Sequence, residues 1–328
     1  RKSYFFNNYF GFYYEYLKTK KYYDFLQKII EHKNIDLLIK RYGNEDINSY
    51  KFQKKINHKI IYEVNTLQYE QNIQKWNYKN ILASPSWVSY IVNSEVFFGK
   101  KCLNKAKAIV SVTNEISKKL LLKKHIQPEK SIVISNGIEI TNKISNPKNG
   151  DKINLLMILG VNSYWNGEDL LIKAIHEFNK DIFRLYIIGE NTDKIDSDKV
   201  KYLGLKDSNE IVKIIHLNNI QIGVGTLGLN RKGLSEACPL KVREYISLGL
   251  PVLYNYNDTD IDLDKEFRDN FCIKLEDKLD LEKVLNQFKK ISSIKDYNLK
   301  IKEWGIKNLS IETKISKYIN VIEKITDY

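Results

Sequence analysis

The chain has 328 residues, 43% of them hydrophobic and 28% charged, which is the composition of a globular protein with room for two domains. No apolar run approaches the roughly 18 residues of a membrane-spanning helix, so no spanning helix is expected. The three cysteines, Cys102, Cys238 and Cys272, are an odd number without metal-ligand spacing, and they indicate reduced thiols in a cytoplasmic protein.

The net charge of +13 is concentrated in the first half of the chain. Residues 1–150 contain 26 Lys and Arg against 12 Asp and Glu, whereas residues 151–328 contain 27 against 28. This asymmetry favours an anionic membrane surface as a partner, and nucleic acid is not expected because no reader motif accompanies the charge. A predicted amphipathic helix is either membrane-facing or a solvated lysine face; its lysines are Lys118, Lys119, Lys123 and Lys124.

Short apolar segments alternate with helical patterns along the chain, which predicts an α/β fold with helices on both faces of a sheet. The first strands are predicted at 35–39, 59–64, 108–112 and 131–134. A polar passage at 146–150 then predicts a linker. The strands predicted after it are 154–159, 184–188, 199–203, 221–224 and 251–254.

Two glutamates, Glu236 and Glu244, frame the start of a predicted helix. Pro239 suits the first turn of that helix, and Gly249 with Pro251 ends it before a short apolar strand. The unpaired N–H groups of a helix start attract phosphate or pyrophosphate, and Glu244 lies roughly 7 Å further along the axis, within reach of a ribose. The alternative for Glu244 is a surface ion pair with the preceding turn of the same helix.

The segment from Gly233 to Val252 resembles the spaced-glutamate motif of retaining GT-B glycosyltransferases of family 4, closest to the branch that builds bacterial capsular and other surface polysaccharides. Further segments resemble that family in the order in which the family shows them. They are Tyr62–Glu70, Ile134–Ile138, Leu159–Leu170, Leu185–Gly189 and Val200–Gly204.

The resemblance implies a GT-B fold, with two Rossmann-like domains that face each other across a cleft. It implies an acceptor-side domain at 1–146, a nucleotide-sugar donor domain at 147–308, and a last helix at 309–328 that packs back on the first domain. Family members begin with a strand and a glycine-containing loop, and nothing before Ile35 fits that description. The amino-terminal sheet is therefore expected to be incomplete, either because the chain lacks its first strands or because the given sequence omits a segment.

The implied activity is transfer of a hexose, with retention of configuration, from a UDP- or GDP-sugar to a lipid-linked or oligosaccharide acceptor. The implied setting is bacterial surface glycan synthesis, by a protein associated peripherally with the inner face of the plasma membrane. The implied mechanism needs no metal, because the leaving phosphate assists deprotonation of the acceptor. The alternative is a non-catalytic GT-B subunit that binds glycan or a partner glycosyltransferase.

The resemblance also implies roles for donor-side residues. Glu244 would bind the ribose hydroxyls, and Glu236 would bind hydroxyls of the donor sugar, because a carboxylate accepts two hydroxyl protons at once. The backbone of Gly204 and Leu205 would receive the base. The remaining donor contacts are expected at Leu240, Asn162 and Trp165, although Trp165 is equally well explained as a core or stacking residue.

A diphosphate leaving group needs cations, and the family generally places an Arg and a Lys in the loop that corresponds to 161–167. That loop has no cation here. Arg231 and Lys241 are the expected replacements, followed by Lys232. The expected acceptor-side contacts are Arg41, Glu63 and Asn65.

Two further motifs are interpreted as non-functional. Gly223–Gly228 satisfies the dinucleotide-binding pattern G-x-G-x-x-G, but the residues after it lack the apolar period of a helix, so nicotinamide binding is not expected. The alternating acids Asp258, Asp260, Asp262 and Asp264 resemble a metal-binding D-x-D site, but they are predicted to form a solvated acidic loop.

Overall fold

The computed structural model describes residues 11–56, 59–67, 70, 86–147, 150–160, 163–190, 197–276 and 279–326. The chain forms two compact units, one of Arg1–Ile134 with Tyr318–Tyr328 and one of Ser135–Lys317. The sequence prediction placed the boundary between the domains at 146. Residues just before that point bond within the second unit, since the Ser145 N–H donates to the Leu248 carbonyl at 2.7 Å.

The first unit contains a four-stranded parallel sheet with the order β1-β2-β3-β4. The strands are β1 (Leu37–Arg41), β2 (Lys59–Val64), β3 (Ala108–Ser111) and β4 (Ser131–Val133). The helices of this unit are Gly11–Lys33, Ile47–Lys55, Ser86–Ser94, Lys100–Lys105 and Asn114–Lys124, and it also includes the second half of Ile311–Thr326. One apolar cluster packs the sheet against that last helix; its buried members are Ile61, Ala108, Val110, Ile134 and Val321.

The second unit contains a six-stranded parallel sheet with the order β12-β10-β8-β5-β6-β7. Its strands are β5 (Ile153–Ile158), β6 (Phe183–Ile188), β7 (Val200–Tyr202), β8 (Ile220–Val224), β10 (Val252–Tyr254) and β12 (Cys272–Lys274). From β5 the chain adds β6 and β7 on one side, and it then adds β8, β10 and β12 on the other side. The strand order therefore reverses between β5 and β8. In doubly wound sheets, ligands bind outside the carboxyl ends of the strands at such a switch point.

Helices cover both faces of this second sheet. Neighbouring residues of β5 belong to different apolar clusters, because Leu155 and Met157 lie in one and Leu156 lies in the other. This is the pattern of a strand buried on both sides. The helices are Glu168–Glu177, Ser208–Leu217, Leu240–Ser247, Lys265–Phe271, Leu281–Ser292, Tyr297–Leu309 and the first part of Ile311–Thr326. The predicted α/β fold with parallel sheets is confirmed.

A two-stranded parallel pair, β9 (Glu236–Ala237) with β11 (Asn257–Asp258), was not predicted. It joins the segment after β8 to the segment after β10. The prediction of a solvated acidic loop at 258–264 was wrong at its start, because Asp258 is only 2% exposed. Its carboxylate is buried against the Arg243 guanidinium, which supplies the charge and the hydrogen bonds that a buried carboxylate requires.

Within the described residues, no helix is both long enough and apolar enough to cross a bilayer.

Candidate functional site

The helix Leu240–Ser247, here called the site helix, begins beside the carboxyl end of β5. It begins after Pro239, which is the N-cap residue rather than part of the first turn as predicted, with extended φ −66° and ψ 136°. It ends at Gly249, whose φ of +79° favours glycine. A Cβ at Gly249 would also lie 2.5 Å from the Asn298 carbonyl oxygen, so a larger residue would displace the helix end.

Two side chains of the site helix hold the end of β5. The Tyr245 hydroxyl accepts the Ile158 N–H at 2.9 Å, and the Lys241 ammonium donates to the Ile158 carbonyl at 3.1 Å. The Tyr245 ring reaches this position across Gly223, where a Cβ would lie only 2.2 Å from the ring. The start of the site helix is therefore fixed beside the switch point between β5 and β8.

Glu244 is a half-buried carboxylate on the site helix. In the part of the chain that the structure describes, no hydrogen bond or ion pair reaches its carboxylate oxygens, and burial raises its pKa above the ordinary glutamate value. Buried polar groups are normally hydrogen-bonded, because desolvation without a partner costs free energy. The carboxylate is thus poised to accept hydrogen bonds from the hydroxyl groups of a ligand.

Glu236 is half-buried on β9, eight residues before Glu244. One of its carboxylate oxygens accepts a hydrogen bond from the Thr259 hydroxyl at 3.0 Å. Thr259 itself is buried and follows β11 directly. The Glu236 carboxylate is therefore held by the segment that follows the neighbouring strand β11.

The three predicted cations differ in what they already bind. The Arg231 guanidinium makes a two-pronged contact with the Asp169 carboxylate, at 2.9 and 2.8 Å, which lowers the pKa of Asp169. Lys232 lies with its ammonium 4.9 Å from the centre of the Trp165 ring, and burial lowers its pKa. Burial lowers the pKa of Lys241 to about 8, and its ammonium also lies 3.5 Å from the Asn166 amide oxygen.

Of the other residues predicted to contact the donor, Gly204 and Leu205 follow β7, and Leu240 opens the site helix. Gly204 follows β7 with φ +70° and open space beside its Cα, and its carbonyl accepts the Gly189 N–H at 3.0 Å. Leu205 and Leu240 are exposed, at 65% and 55%. Asn162 lies outside the described residues.

The residues predicted to contact the acceptor belong to the first unit. Arg41 ends β1 and is paired in register with Glu63 on β2. Asn65 follows β2 immediately, and its amide oxygen is buried without a hydrogen-bond partner among the residues that the structure describes. Asn65 thus presents an amide oxygen at the carboxyl edge of the first sheet that can accept a hydrogen bond from a hydroxyl group.

Sequence reasoning missed three residues that shape the site, namely Arg243, Tyr245 and Thr259. Arg243 and Tyr245 flank Glu244 in the sequence, but a helical pattern does not show that an arginine points into the core. Thr259 lies between two aspartates for which the sequence predicts a solvated loop. Only the pairing of β9 with β11 brings its hydroxyl to Glu236.

No protein-family model matches the chain, and no curated protein matches it. Solved structures do resemble it. The lipopolysaccharide outer core galactosyltransferase WaaB has a TM-score of 0.63 at 15% identity, over 94% of this chain and 81% of that chain. Anabaena Alr3699/HepE in complex with UDP has a TM-score of 0.61 at 12% identity, over 92% and 82%. A glycosyltransferase from Rickettsia africae ESF-5 has a TM-score of 0.54 at 14% identity, over 89% and 99%.

These similarities, together with the two parallel α/β sheets, identify the fold as that of GT-B glycosyltransferases. At such low identities the similarity establishes the fold and not the reaction.

Proposed function

We propose that the protein is a retaining glycosyltransferase that moves a hexose from a nucleotide sugar to a lipid-linked or oligosaccharide acceptor in bacterial surface glycan synthesis. The observation that carries the proposal is Glu244, a half-buried carboxylate without a partner among the described residues, on the helix beside the switch point of the second sheet. One structural neighbour is in complex with UDP-glucose, and another is a galactosyltransferase of lipopolysaccharide, which supports this class of donor and product.

Each group has a defined part in this reaction. Glu244 accepts the ribose hydroxyls, and Glu236 accepts hydroxyls of the donor sugar. The bond between the anomeric carbon and the diphosphate oxygen breaks, while the acceptor hydroxyl oxygen forms its bond on the same face of the sugar. The hydroxyl proton passes to an oxygen of the departing diphosphate. Positive charge beside that diphosphate stabilises the negative charge that develops there.

Lys241 is the strongest of the three cation candidates in this geometry. Arg231 is already neutralised by Asp169, and Lys232 lies over an aromatic ring. Lys241 combines a position beside the end of β5 with a pKa of about 8, so its charge responds to the arrival of an anion.

Proton uptake tests this role of Lys241. At pH 8 about half of the lysine is neutral in the ligand-free protein, and a bound diphosphate favours the charged form, so roughly half a proton enters per UDP bound. Titration calorimetry in two buffers of different ionisation enthalpy measures this number. We expect uptake in the wild type and none in Lys241→Met; equal heats in both buffers for the wild type would remove the assignment.

A panel of UDP- and GDP-sugars tests the proposed activity. A donor present at 100 times its Kd adds about 2.7 kcal/mol to the stability of a protein that binds it, so thermal unfolding identifies the bound nucleotide. Slow hydrolysis of the same donor shows that the site is catalytic. Binding without any hydrolysis or transfer would favour the alternative, a non-catalytic subunit that binds glycan or a partner enzyme.

Attachment to an anionic membrane is part of the proposal, and its support comes from one surface of the first unit. The ammonium groups of Lys54, Lys101 and Lys105 lie 4.9, 5.6 and 5.8 Å from the centre of the Tyr50 ring. Among the described residues, none of the three pairs with a carboxylate. Phe97, beside this basic-aromatic patch in sequence, is 66% exposed.

The lysine helix that the sequence indicated is a weaker candidate, because most of its charges are already paired. Lys123 contacts Glu70, and Lys124 lies 3.0 Å from the buried Glu95. Lys119 lies 3.0 Å from Glu115. Charge pairing of this kind reduces the attraction to a lipid surface.

Vesicle sedimentation tests the basic-aromatic patch. The triple variant Lys54→Gln, Lys101→Gln, Lys105→Gln should bind vesicles containing phosphatidylglycerol roughly 100-fold more weakly, because each cation near the surface contributes about 1 kcal/mol. A charge-matched control replaces Lys173, Lys180 and Lys206, each of which pairs with a glutamate in the second unit, and it should bind like the wild type. Equal losses in both triple variants would show that net charge, and not this patch, governs binding.

A further inference from the structure

We propose that Thr259 is a positioning residue for Glu236, and that the buried pair of Arg243 and Asp258 holds Thr259 at a set distance from the site helix. This inference rests on the proposed function, because it assigns Glu236 to the donor sugar. It adds to that function a set of contacts through which the site helix positions both Glu236 and Glu244.

The first part of this set of contacts links Thr259 to Glu236. The Thr259 hydroxyl donates to one oxygen of the Glu236 carboxylate at 3.0 Å, and the Thr259 N–H donates to the Ala237 carbonyl at 3.4 Å. Thr259 is β-branched and only 6% exposed, so its side chain has few rotamers available. A hydroxyl fixed in this way helps to determine where the Glu236 carboxylate points.

The second part is the anchor that holds both neighbours of Thr259. The Arg243 guanidinium binds Asp258 with two hydrogen bonds and reaches Asp260 at 2.7 Å. The side chains of Arg243 and Asp258 are fully buried. A planar guanidinium that contacts the residues before and after Thr259 fixes the backbone between them.

The charge of Asp260, the second aspartate that Arg243 contacts, is also balanced by a lysine. Asp260 accepts hydrogen bonds from the Ser135 hydroxyl and the Lys314 ammonium, both at 2.7 Å. Two aspartates are thus matched by an arginine and a lysine. Such a network holds its members in one arrangement, because any displaced member would leave a buried charge without its partner.

Arg243 connects this network to the site helix. Arg243 immediately precedes Glu244 on the site helix, so the helix presents Glu244 directly and holds Glu236 through Asp258 and Thr259. The two carboxylates that we assign to the two ends of the donor share one rigid support. Sites of this kind work best when supporting contacts hold the binding groups close to the productive geometry.

Thr259→Val tests the inference, because valine has nearly the shape of threonine and lacks the hydroxyl. With the sugar donor found in the panel, we expect kcat/KM to fall roughly tenfold while the Kd for UDP, which lacks the transferred sugar, stays unchanged. Thr259→Ser keeps the hydroxyl that donates to Glu236, so its kcat/KM should lie close to that of the wild type. Thr313→Val is the matched control, since the Thr313 hydroxyl contacts the Lys307 carbonyl in the same unit, and we expect it to behave like the wild type.

Three outcomes are decisive. Wild-type kcat/KM in Thr259→Val would overturn the inference and leave the proposed function intact. An equal loss of UDP affinity and kcat/KM would also overturn it, because it would mean that the whole site had shifted. A wild-type protein that neither binds nor turns over any donor would overturn the proposed function, and the inference with it.

Discussion

Replacing Arg243 by methionine should lower the free energy of unfolding by about 3–5 kcal/mol, since this is the usual loss when one partner of a buried ion pair is removed. Methionine fills much of the arginine volume, so packing contributes little to the loss. The dominant effect is on Asp258, whose side chain is completely buried and would lose both of its hydrogen bonds to the guanidinium. Urea unfolding of the full chain measures the change.

A surface pair supplies the control for this prediction. Arg184 also makes two hydrogen bonds to one aspartate, Asp181, at 2.7 and 2.9 Å, but the Asp181 side chain is 57% exposed. Arg184→Met should therefore unfold close to the wild type, because exposed ion pairs contribute little. The double variant Arg243→Met, Asp258→Asn should recover part of the lost free energy of unfolding, because asparagine removes the buried Asp258 charge that Arg243→Met leaves without a partner. Equal stability of Arg243→Met and Arg184→Met would show that the buried network is not a structural anchor.

Replacing Glu244 by glutamine should weaken UDP binding between roughly 10- and 150-fold, which corresponds to the 1.5–3 kcal/mol of hydrogen bonds to a charged group. Glutamine keeps the shape and one acceptor oxygen, so the loss reports the charge. Calorimetric titration with UDP measures the affinity. Glu177→Gln is the control, because Glu177 is an exposed glutamate that pairs with Lys173 on its own helix.

The same variant should not be less stable than the wild type without a ligand. Burial raises the pKa of Glu244 in the folded protein, so folding disfavours its ionised form. A group of this kind contributes its full stability below the pKa of the unfolded chain and loses it as the pH rises through the folded pKa. At neutral pH the buried, ionised Glu244 carboxylate therefore lowers the free energy of unfolding, and glutamine removes this destabilisation. A thermal midpoint well below that of the wild type would show that Glu244 is a structural residue.

The predicted helix that carries Glu244 illustrates what a local sequence pattern can establish. Gly249 and Pro251 mark the helix end through backbone geometry, which sequence reports directly. The α/β fold follows in the same way from alternating apolar segments. The position of Glu244 on that helix, beside a sheet edge, could therefore be inferred before any coordinates existed.

The partners of charged residues could not be inferred in this way. Arg231 binds Asp169, which lies 62 residues earlier in the chain, and Arg243 binds Asp258 across 15 residues. Alternating aspartates after a strand are compatible with a solvated loop and with a buried network, and only the fold decides between them. Counting charges likewise showed a basic first half but not that Lys123 and Lys124 already have acidic partners.

A crystal structure of the protein with a UDP-sugar tests the central claim most directly. The account predicts a donor at the carboxyl edge of the second sheet, with its ribose hydroxyls on the Glu244 carboxylate, its sugar hydroxyls on Glu236, and its diphosphate beside Lys241. A donor bound elsewhere, or one that leaves Glu236 and Glu244 without a ligand contact, would contradict it.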